Sequence, residues 1–304
     1  VRDPGSDRPL AVSLLLALRP RQWTKNIPVL APLVFAHKAF EAGLAARAMA
    51  AMALFCLLSS SVYLFNDLVD RERDRLHPLK RLRPIASGAV RPGLAMTSGI
   101  ALGLASLCGF WLLGPAAFGA ALGYLALQIA YTLGFKRLVI LDVIVISLGF
   151  VLRVVSGALA IDVPISNWLY LCGFLLALFL GFSKRRAELL LLETNATAHR
   201  ASLAELSLPL LDQLIAAVTA STVVSYALYT MSEETVRKFG TDALKYTLPC
   251  VVYGIFRYLY LIYRRNEGGS PERLLLSDLP LLVDILLFCG IVAAVLYLPC
   301  FGHP

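Results

Sequence analysis

The sequence predicts an all-α, polytopic membrane protein with about nine transmembrane helices. Three observations carry that reading. Hydrophobic residues make up 58% of the chain, charged residues only 16%, and the mean hydropathy is +0.72. A soluble domain is about half apolar and about a quarter charged. Apolar runs recur along nearly the whole length, all but the first near the roughly 20 residues that a helix needs to cross about 30 Å of hydrocarbon. Finally, basic residues gather in alternate loops, as membrane topology requires.

The runs lie at about 27–36, 44–65, 94–113, 115–133, 138–161, 165–182, 208–231, 243–263 and 279–300. The first is the weakest, because Pro20 and three basic residues separate its two apolar pieces, 10–18 and 27–36. Such runs are too long for barrel strands, and open sheet edges do not survive in lipid, so a helical bundle is the expected architecture. Residues 1–9 read as a polar, disordered tail and 10–304 as one catalytic domain. Leu10–Leu18 runs into charged residues with no small-residue cleavage site and is not read as a secretory leader. The six cysteines fall in apolar runs without CxxC pairing and read as small hydrophobes.

Net charge is +8, but its distribution says more. The N-terminal segment and the loops at 66–93, 134–137, 184–209 and 264–278 together hold 21 Lys and Arg residues, whereas the alternate loops hold four. Positive loops stay in the cytoplasm. The expectation is a plasma-membrane protein with a cytoplasmic N-terminus and an external C-terminus. Nothing in the pattern suggests nucleic acid as a partner.

The strongest local signal is Asn66-Asp67-Leu68-Val69-Asp70-Arg71-Glu72-Arg73-Asp74, directly after the run 44–65. On a continuous helix Asp67, Asp70 and Asp74 fall within about 60° of arc, with Asn66 one turn before Asp70. Carboxylates crowded at a membrane boundary repel one another and lose hydration, and a divalent cation removes both costs. Oxygen-only ligands suit magnesium, and manganese equally, and do not suit zinc. The plain alternative is a helix end salt-bridged to Arg71, Arg73 and Arg75. Lys80, Arg81 and Arg83 follow closely. Acid followed by base suits a metal-bound polyphosphate, with carboxylates on the metal and cations on the remaining phosphate charge.

These residues have a family likeness. NDxxDxxxD after the second span resembles the UbiA superfamily of intramembrane prenyltransferases. Five blocks, RPRQWTKN at 19–26, RLHPLKRLRPIASG at 75–88, YTLGFKR at 131–137, GFVLR at 149–153 and FSKRRAEL at 182–189, are together similar to its decaprenyl-phosphate phosphoribosyltransferase branch. The resemblance implies a magnesium-dependent transfer of ribose 5-phosphate from 5-phosphoribosyl 1-diphosphate to decaprenyl or another polyprenyl phosphate, releasing diphosphate for arabinan synthesis in a cell wall. A homo-oligomer is compatible with it. Typical superfamily members carry a second Asp-rich motif after the sixth span. Here that place reads Ser183-Lys184-Arg185-Arg186-Ala187-Glu188. A site handling several phosphates should exchange carboxylates for cations, leaving only Glu188 to serve a metal.

On this reading Asp67, Asp70 and Asn66 act on the metal-bound diphosphate, with Asp74 a weaker ligand. Lys25, Lys80, Arg83, Lys136, Arg137, Lys184 and Arg186 are candidates for binding phosphate, with Tyr131 as an orienting group. Asp142, Arg153 and Glu188 are counted at the same phosphate site; Asp142 and Arg153, eleven residues apart, face the same way on a helix, and Arg153 lies about 16 Å deeper. A charge at that depth marks either a functional cavity or a buried ion pair. Gly99, Gly103, Gly119, Gly123, Gly149 and Gly157 are expected to let helices pack closely around a lipid groove. Two other functions compete. One is a prenyl transfer to an aromatic acceptor, against which the cationic SKRRAE segment argues. The other is a secondary transporter, for which no internal repeat is visible.

Overall fold

The computed structural model describes residues 9–77, 80–194, 205–265, 268–269 and 271–298. Most of the expected N-terminal tail therefore lies outside the described residues, as do Cys300 and two residues of the 75–88 block. All regular structure among the described residues is helical. Seven helices are long and apolar enough to cross a membrane, and they fall on seven of the nine expected runs.

The other two runs are built differently. In place of one long helix, the first comprises α1 (Leu10–Ala17), a 3₁₀ segment (Pro20–Leu30) and α2 (Ala31–Phe35). Pro20, Pro28 and Pro32 each lack the N–H that an α-helix would use, so the chain winds more tightly instead. The eighth run becomes a short 3₁₀ turn followed by α11 (Leu248–Arg265), which buries Ile255, Tyr258, Leu261 and Ile262 and carries Arg257.

The described residues form two compact units. The first holds the chain to Leu138 together with Leu152–Pro164. Its spine is α3 (Ala42–Val69), packed on α5 (Pro92–Leu113). Small residues bring these two backbones together. Ser61 Oγ donates to the Gly99 carbonyl at 2.7 Å, and Ser106 Oγ donates to the Leu54 carbonyl at 2.8 Å. Gly103 faces Ser61 and Gly109 faces Leu54. Phe55 packs edge-to-face on Phe110 of α5 and on Tyr124 of α6 (Pro115–Leu133), at 5.5 and 5.0 Å between ring centroids. At the far end of α3, Arg47 donates to the carbonyls of Leu113 and Ala160, where two helices finish. A cation is favourable there, against the negative ends of both dipoles.

The remaining helices are α4 (Arg71–Leu76), α7 (Leu141–Ala160), α8 (Asn167–Thr194), α9 (Leu208–Met231), α10 (Glu233–Phe239), α12 (Pro271–Ser277) and α13 (Leu279–Tyr297). The second unit comprises Val139–Val151 and Ile165–Pro304. Its core joins Val143, Phe179, Leu211, Ile215, Tyr258 and Leu281. Asp278 caps α13 by accepting from Leu281 N at 3.1 Å and pairs with Arg257 at 2.8 Å. That pairing holds the Asp278 carboxyl below the usual carboxylate range.

The glycines divide. A Cβ on Gly157 of α7 would strike the Val29 backbone carbonyl, and one on Gly99 would touch Leu64 and Phe65. Gly119 and Gly123, by contrast, have nothing within 4 Å where a Cβ would point, so the close packing expected of them is not found. Because backbone rather than a flexible side chain opposes Gly157, the Gly157→Ala protein should lose about 1–3 kcal/mol of stability. The midpoint of denaturation in detergent would report it, and an unchanged midpoint would show that the 3₁₀ segment yields freely.

Candidate active site

α3 is 28 residues long, or about 42 Å, against roughly 30 Å of hydrocarbon. Its last turn therefore reaches past the apolar layer, and that turn carries Asn66 and Asp67. The expected single helical face is corrected here. The helix stops at Val69, Asp70 has ψ of 4°, and α4 restarts at Arg71. Asp67 and Asp74 are both buried, while the Asp70 side chain is 30% exposed.

Cations remote in sequence reach these carboxylates. Arg19 Nη2 donates to Asp67 Oδ1 at 2.5 Å. Arg83 Nη1 bridges Asp67 Oδ1 at 3.1 Å and Asp74 Oδ2 at 2.6 Å. Lys136 Nζ donates to Asp70 Oδ1 at 2.7 Å. Asn66 Oδ1 accepts from the Thr132 hydroxyl. The partners are thus not the neighbouring Arg71, Arg73 and Arg75 of the simpler reading. Arg75 pairs instead with Glu72 at 3.2 Å and donates to the Ala86 carbonyl. Arg19 has φ of 56°, a left-handed conformation uncommon outside glycine, and stands 5.0 Å over the Tyr63 ring. His77 Nδ1 accepts from the Lys80 backbone N–H at 3.3 Å. Partial burial, assisted by the Lys80 charge, holds the imidazole below its ordinary pKa, which suits an acceptor nitrogen.

Among the described residues, no three His, Cys, Asp or Glu side chains close into a metal-ligand group. The donor set still fits magnesium that arrives on a diphosphate. That ion takes one or two protein carboxylates and completes its shell with phosphate oxygens and water.

Deeper in the same unit, Arg153 is buried. Its Nε donates to Asn26 Oδ1 at 2.8 Å and Nη2 donates to the Tyr124 hydroxyl at 2.9 Å. Its guanidinium lies 4.9 Å from the Tyr124 ring centroid. Asn26 in turn donates to Ser59 Oγ at 3.2 Å, and Trp23 Nε1 donates to Ser60 Oγ at 3.0 Å. Arg153 thereby anchors the 3₁₀ segment to α3 and α6. Lys25, on that segment, is half-buried, as is Tyr131; Lys80 and Arg137 are exposed.

In the second unit, the SKRRAE segment lies near the end of α8. Asp142 and Arg185 form a pair that is almost wholly buried, at 2.8 Å with side-chain exposures of 0% and 3%. Glu188 also bonds Arg185 and stands 4.0 Å from Lys184. Asp142 is thus an ion-pair partner within the protein. Arg186 pairs with Asp212 at 2.7 Å and stacks 4.2 Å over Tyr263, whose hydroxyl donates to Asp212 at 2.9 Å.

Arg19, Thr132, Arg185, Asp212 and Tyr263 belong to these clusters and were not among the site residues expected. Arg19 and Arg185 stand inside blocks that the sequence singled out, so their signal was present. Thr132, Asp212 and Tyr263 look ordinary in sequence and become visible only by contact.

Fold and site together define a polytopic, all-α integral membrane protein with charged clusters at its helix ends. The chain belongs to the UbiA prenyltransferase family, whose model matches residues 26–277. It is 35% identical over 303 residues to the decaprenyl-phosphate phosphoribosyltransferase of Mycolicibacterium smegmatis, covering 96% of this chain and 95% of that one. It is 36% identical over 301 residues to the enzyme of the same name from Corynebacterium glutamicum, covering 96% and 89%. In fold it is similar to a UbiA homolog from Archaeoglobus fulgidus, solved bound to GPP and Mg2+. The TM-score is 0.72 at 21% identity, over 93% of this chain and 99% of that one.

The buried Asp142–Arg185 pair gives a direct test. Arg185→Ala strands a buried carboxylate and should cost about 3–5 kcal/mol, whereas Asp142→Leu combined with Arg185→Met should recover most of that loss. Denaturation midpoints of the three proteins would decide it. Equal losses in the single and double variants would mean that the pair does not govern stability.

Proposed function

We propose that this protein transfers the 5-phosphoribosyl group of 5-phosphoribosyl 1-diphosphate to decaprenyl or a related polyprenyl phosphate, releasing diphosphate. In cells that make arabinan, the product would supply its lipid-linked pentose. The observation that carries this reading is the matched set of three carboxylates and three cations, Asp67, Asp70 and Asp74 with Arg19, Arg83 and Lys136. A magnesium diphosphate satisfies both halves at once. Its metal suits the carboxylates, and its phosphate oxygens suit the cations released from them. The named activity of the relatives at 35% and 36% identity supports the same acceptor and the same transferred group.

Asp67 and Asp70, with Asn66, would hold magnesium, and Asp74 would remain with Arg83. Bound there, the metal supplies charge neutralisation to the leaving diphosphate. Arg19, Arg83 and Lys136 bind and orient the phosphates, and Lys25, Lys80 and Arg137 add positive charge on the same unit. Tyr131 is an orienting group. In the second unit Lys184 offers a further phosphate contact, while Glu188 stays with Arg185.

A phosphate oxygen of the lipid attacks the anomeric carbon. The bond from that carbon to the diphosphate oxygen breaks, and its electron pair leaves with diphosphate. A phosphate monoester is already anionic at neutral pH, so no side chain has to remove a proton. Catalysis then rests on positioning and on stabilising the departing charge, with an oxocarbenium-like sugar between the two anions. The basic-loop asymmetry supports a cytoplasmic face for this chemistry, and the plasma membrane is the membrane proposed. Magnesium is the expected ion, and manganese offers the same oxygen preference.

Purified protein supplied with labelled 5-phosphoribosyl 1-diphosphate, decaprenyl phosphate and magnesium should form a labelled lipid only when all three are present. Asp67→Asn and Asp70→Asn, which keep the side chain's size and an acceptor oxygen, should each lower kcat at least about 100-fold with the fold intact, and Lys136→Ala should raise the donor KM about tenfold. Full turnover with excess chelator, or in either Asp variant, would remove this reading. Transfer of prenyl carbon to an aromatic acid would replace it.

A further inference from the structure

An apolar groove of about 400 Å³ runs between α9 and α11 in the second unit. Ile215, Ala216, Thr219, Ala220, Val223 and Val224 line one side, and Phe256, Leu259 and Tyr263 line the other. From Ile215 to Val224 the rise along α9 is about 14 Å. Ala216 and Ala220 leave depth along the floor that larger side chains would fill.

One end of this groove is charged. Tyr263 both lines it and lies under the Arg186 guanidinium at 4.2 Å. Arg186 is 9% exposed. Its Nε is held by Asp212 at 2.7 Å, but its buried Nη1 has no hydrogen-bond partner among the described residues. A buried guanidinium N–H left unsatisfied is unfavourable, and an acceptor group on a ligand would relieve it. Arg264 and Arg265 follow Tyr263 at the same end of α11, both exposed. Asp212 is the one carboxylate in direct contact with Arg186 and Tyr263 among the described ion pairs, so cations outnumber it. The groove therefore asks for a ligand with one apolar chain and one anionic, acceptor-rich head.

We infer that this groove seats the chain of the polyprenyl phosphate acceptor and that Arg186 takes its phosphate through Nη1. The inference rests on the proposed function, which supplies a single-chain lipid phosphate as substrate. A single furrow suits one chain better than the paired chains of a common phospholipid, and its small-residue floor leaves room for methyl branches. Arg186 is thereby assigned to the acceptor, and the donor is left to the Arg19, Arg83 and Lys136 set. Asp212 and Tyr263 act as positioning residues, fixing the guanidinium so that Nη1 stays directed to the head group.

The test uses the full chain in detergent with two separate binding measurements. Radiolabelled decaprenyl phosphate binding is followed by scintillation proximity, and 5-phosphoribosyl 1-diphosphate with magnesium by calorimetry. Arg186→Gln and the groove-filling Ala220→Phe should each weaken decaprenyl phosphate binding about tenfold while leaving donor affinity within about twofold. Val224→Trp, at a position 56% exposed, gives a second way to obstruct the groove without touching the core and should act like Ala220→Phe. Unlabelled phosphatidylglycerol and inorganic phosphate are the competitors, and both should displace the label at least about 100-fold more weakly than decaprenyl phosphate. If all three variants bind the lipid like the parent protein, the groove assignment is wrong while the proposed reaction stands. Equal competition by phosphatidylglycerol would make the groove a site for ordinary acidic phospholipid and overturn the acceptor assignment. A parent protein that binds no decaprenyl phosphate overturns both readings.

Discussion

The buried Asp67 carboxylate, shared between Arg19 and Arg83, is the constraint on which the first unit depends. A charge at the end of a membrane helix must be paired or hydrated, and Asp67 is 3% exposed. Its partners come from a segment 48 residues earlier and a loop 16 residues later. Meeting that electrostatic demand draws the 3₁₀ segment, the end of α3 and the 80–83 turn to one place. Arg83 extends the link to Asp74, and Lys136 ties Asp70 to the chain beyond α6. The unusual backbone at Arg19 belongs to this arrangement, since its guanidinium must reach Asp67 while its neighbour Pro20 opens a new helix.

A site of this kind is suited to phosphate chemistry because its carboxylates and its cations can each take a partner from a metal-bound phosphate. Carboxylates and cations of equal number cost little to keep beside a membrane, whereas three carboxylates alone would cost a great deal. The same balance favours a ligand that brings metal and phosphate together over either one alone. The second unit solves the problem differently. There Asp142 and Arg185 are committed to one another in the interior, and Arg186 is stacked and only partly satisfied. Adjacent arginines on one helix thus meet different partners, because about 100° of rotation sends them to different neighbours.

Much of the candidate site was legible in the sequence. Asp67, Asp70 and Asp74 follow an apolar run at helical spacing, and a cationic loop follows them. What could not be read was the partner of each charge. Lys136 and Arg83 were expected as phosphate ligands; in the structure they are the carboxylates' own counter-ions. Asp142, expected near phosphate, is sealed against Arg185. Arg153, read as marking either a functional cavity or a buried ion pair, holds Asn26 and Tyr124. In each case residues tens of positions apart decide the outcome, and spacing along one helix carries no information about them.

The sequence by itself determined the class of protein, the position of most spans and the helix end at which acidic residues gather. Hydrophobic length and loop charge are local properties, written directly in composition. Tertiary structure alone decided that the first run is a 3₁₀ segment flanked by short helices, that α3 breaks at Asp70, and which cation meets which carboxylate. It also decided that Arg186 stacks on Tyr263 and keeps one guanidinium nitrogen without a partner among the described residues, whereas Arg185 is paired with Asp142. Those outcomes follow from desolvation: a buried charge takes whatever partner the packed helices bring within reach, and only the packed fold specifies that partner.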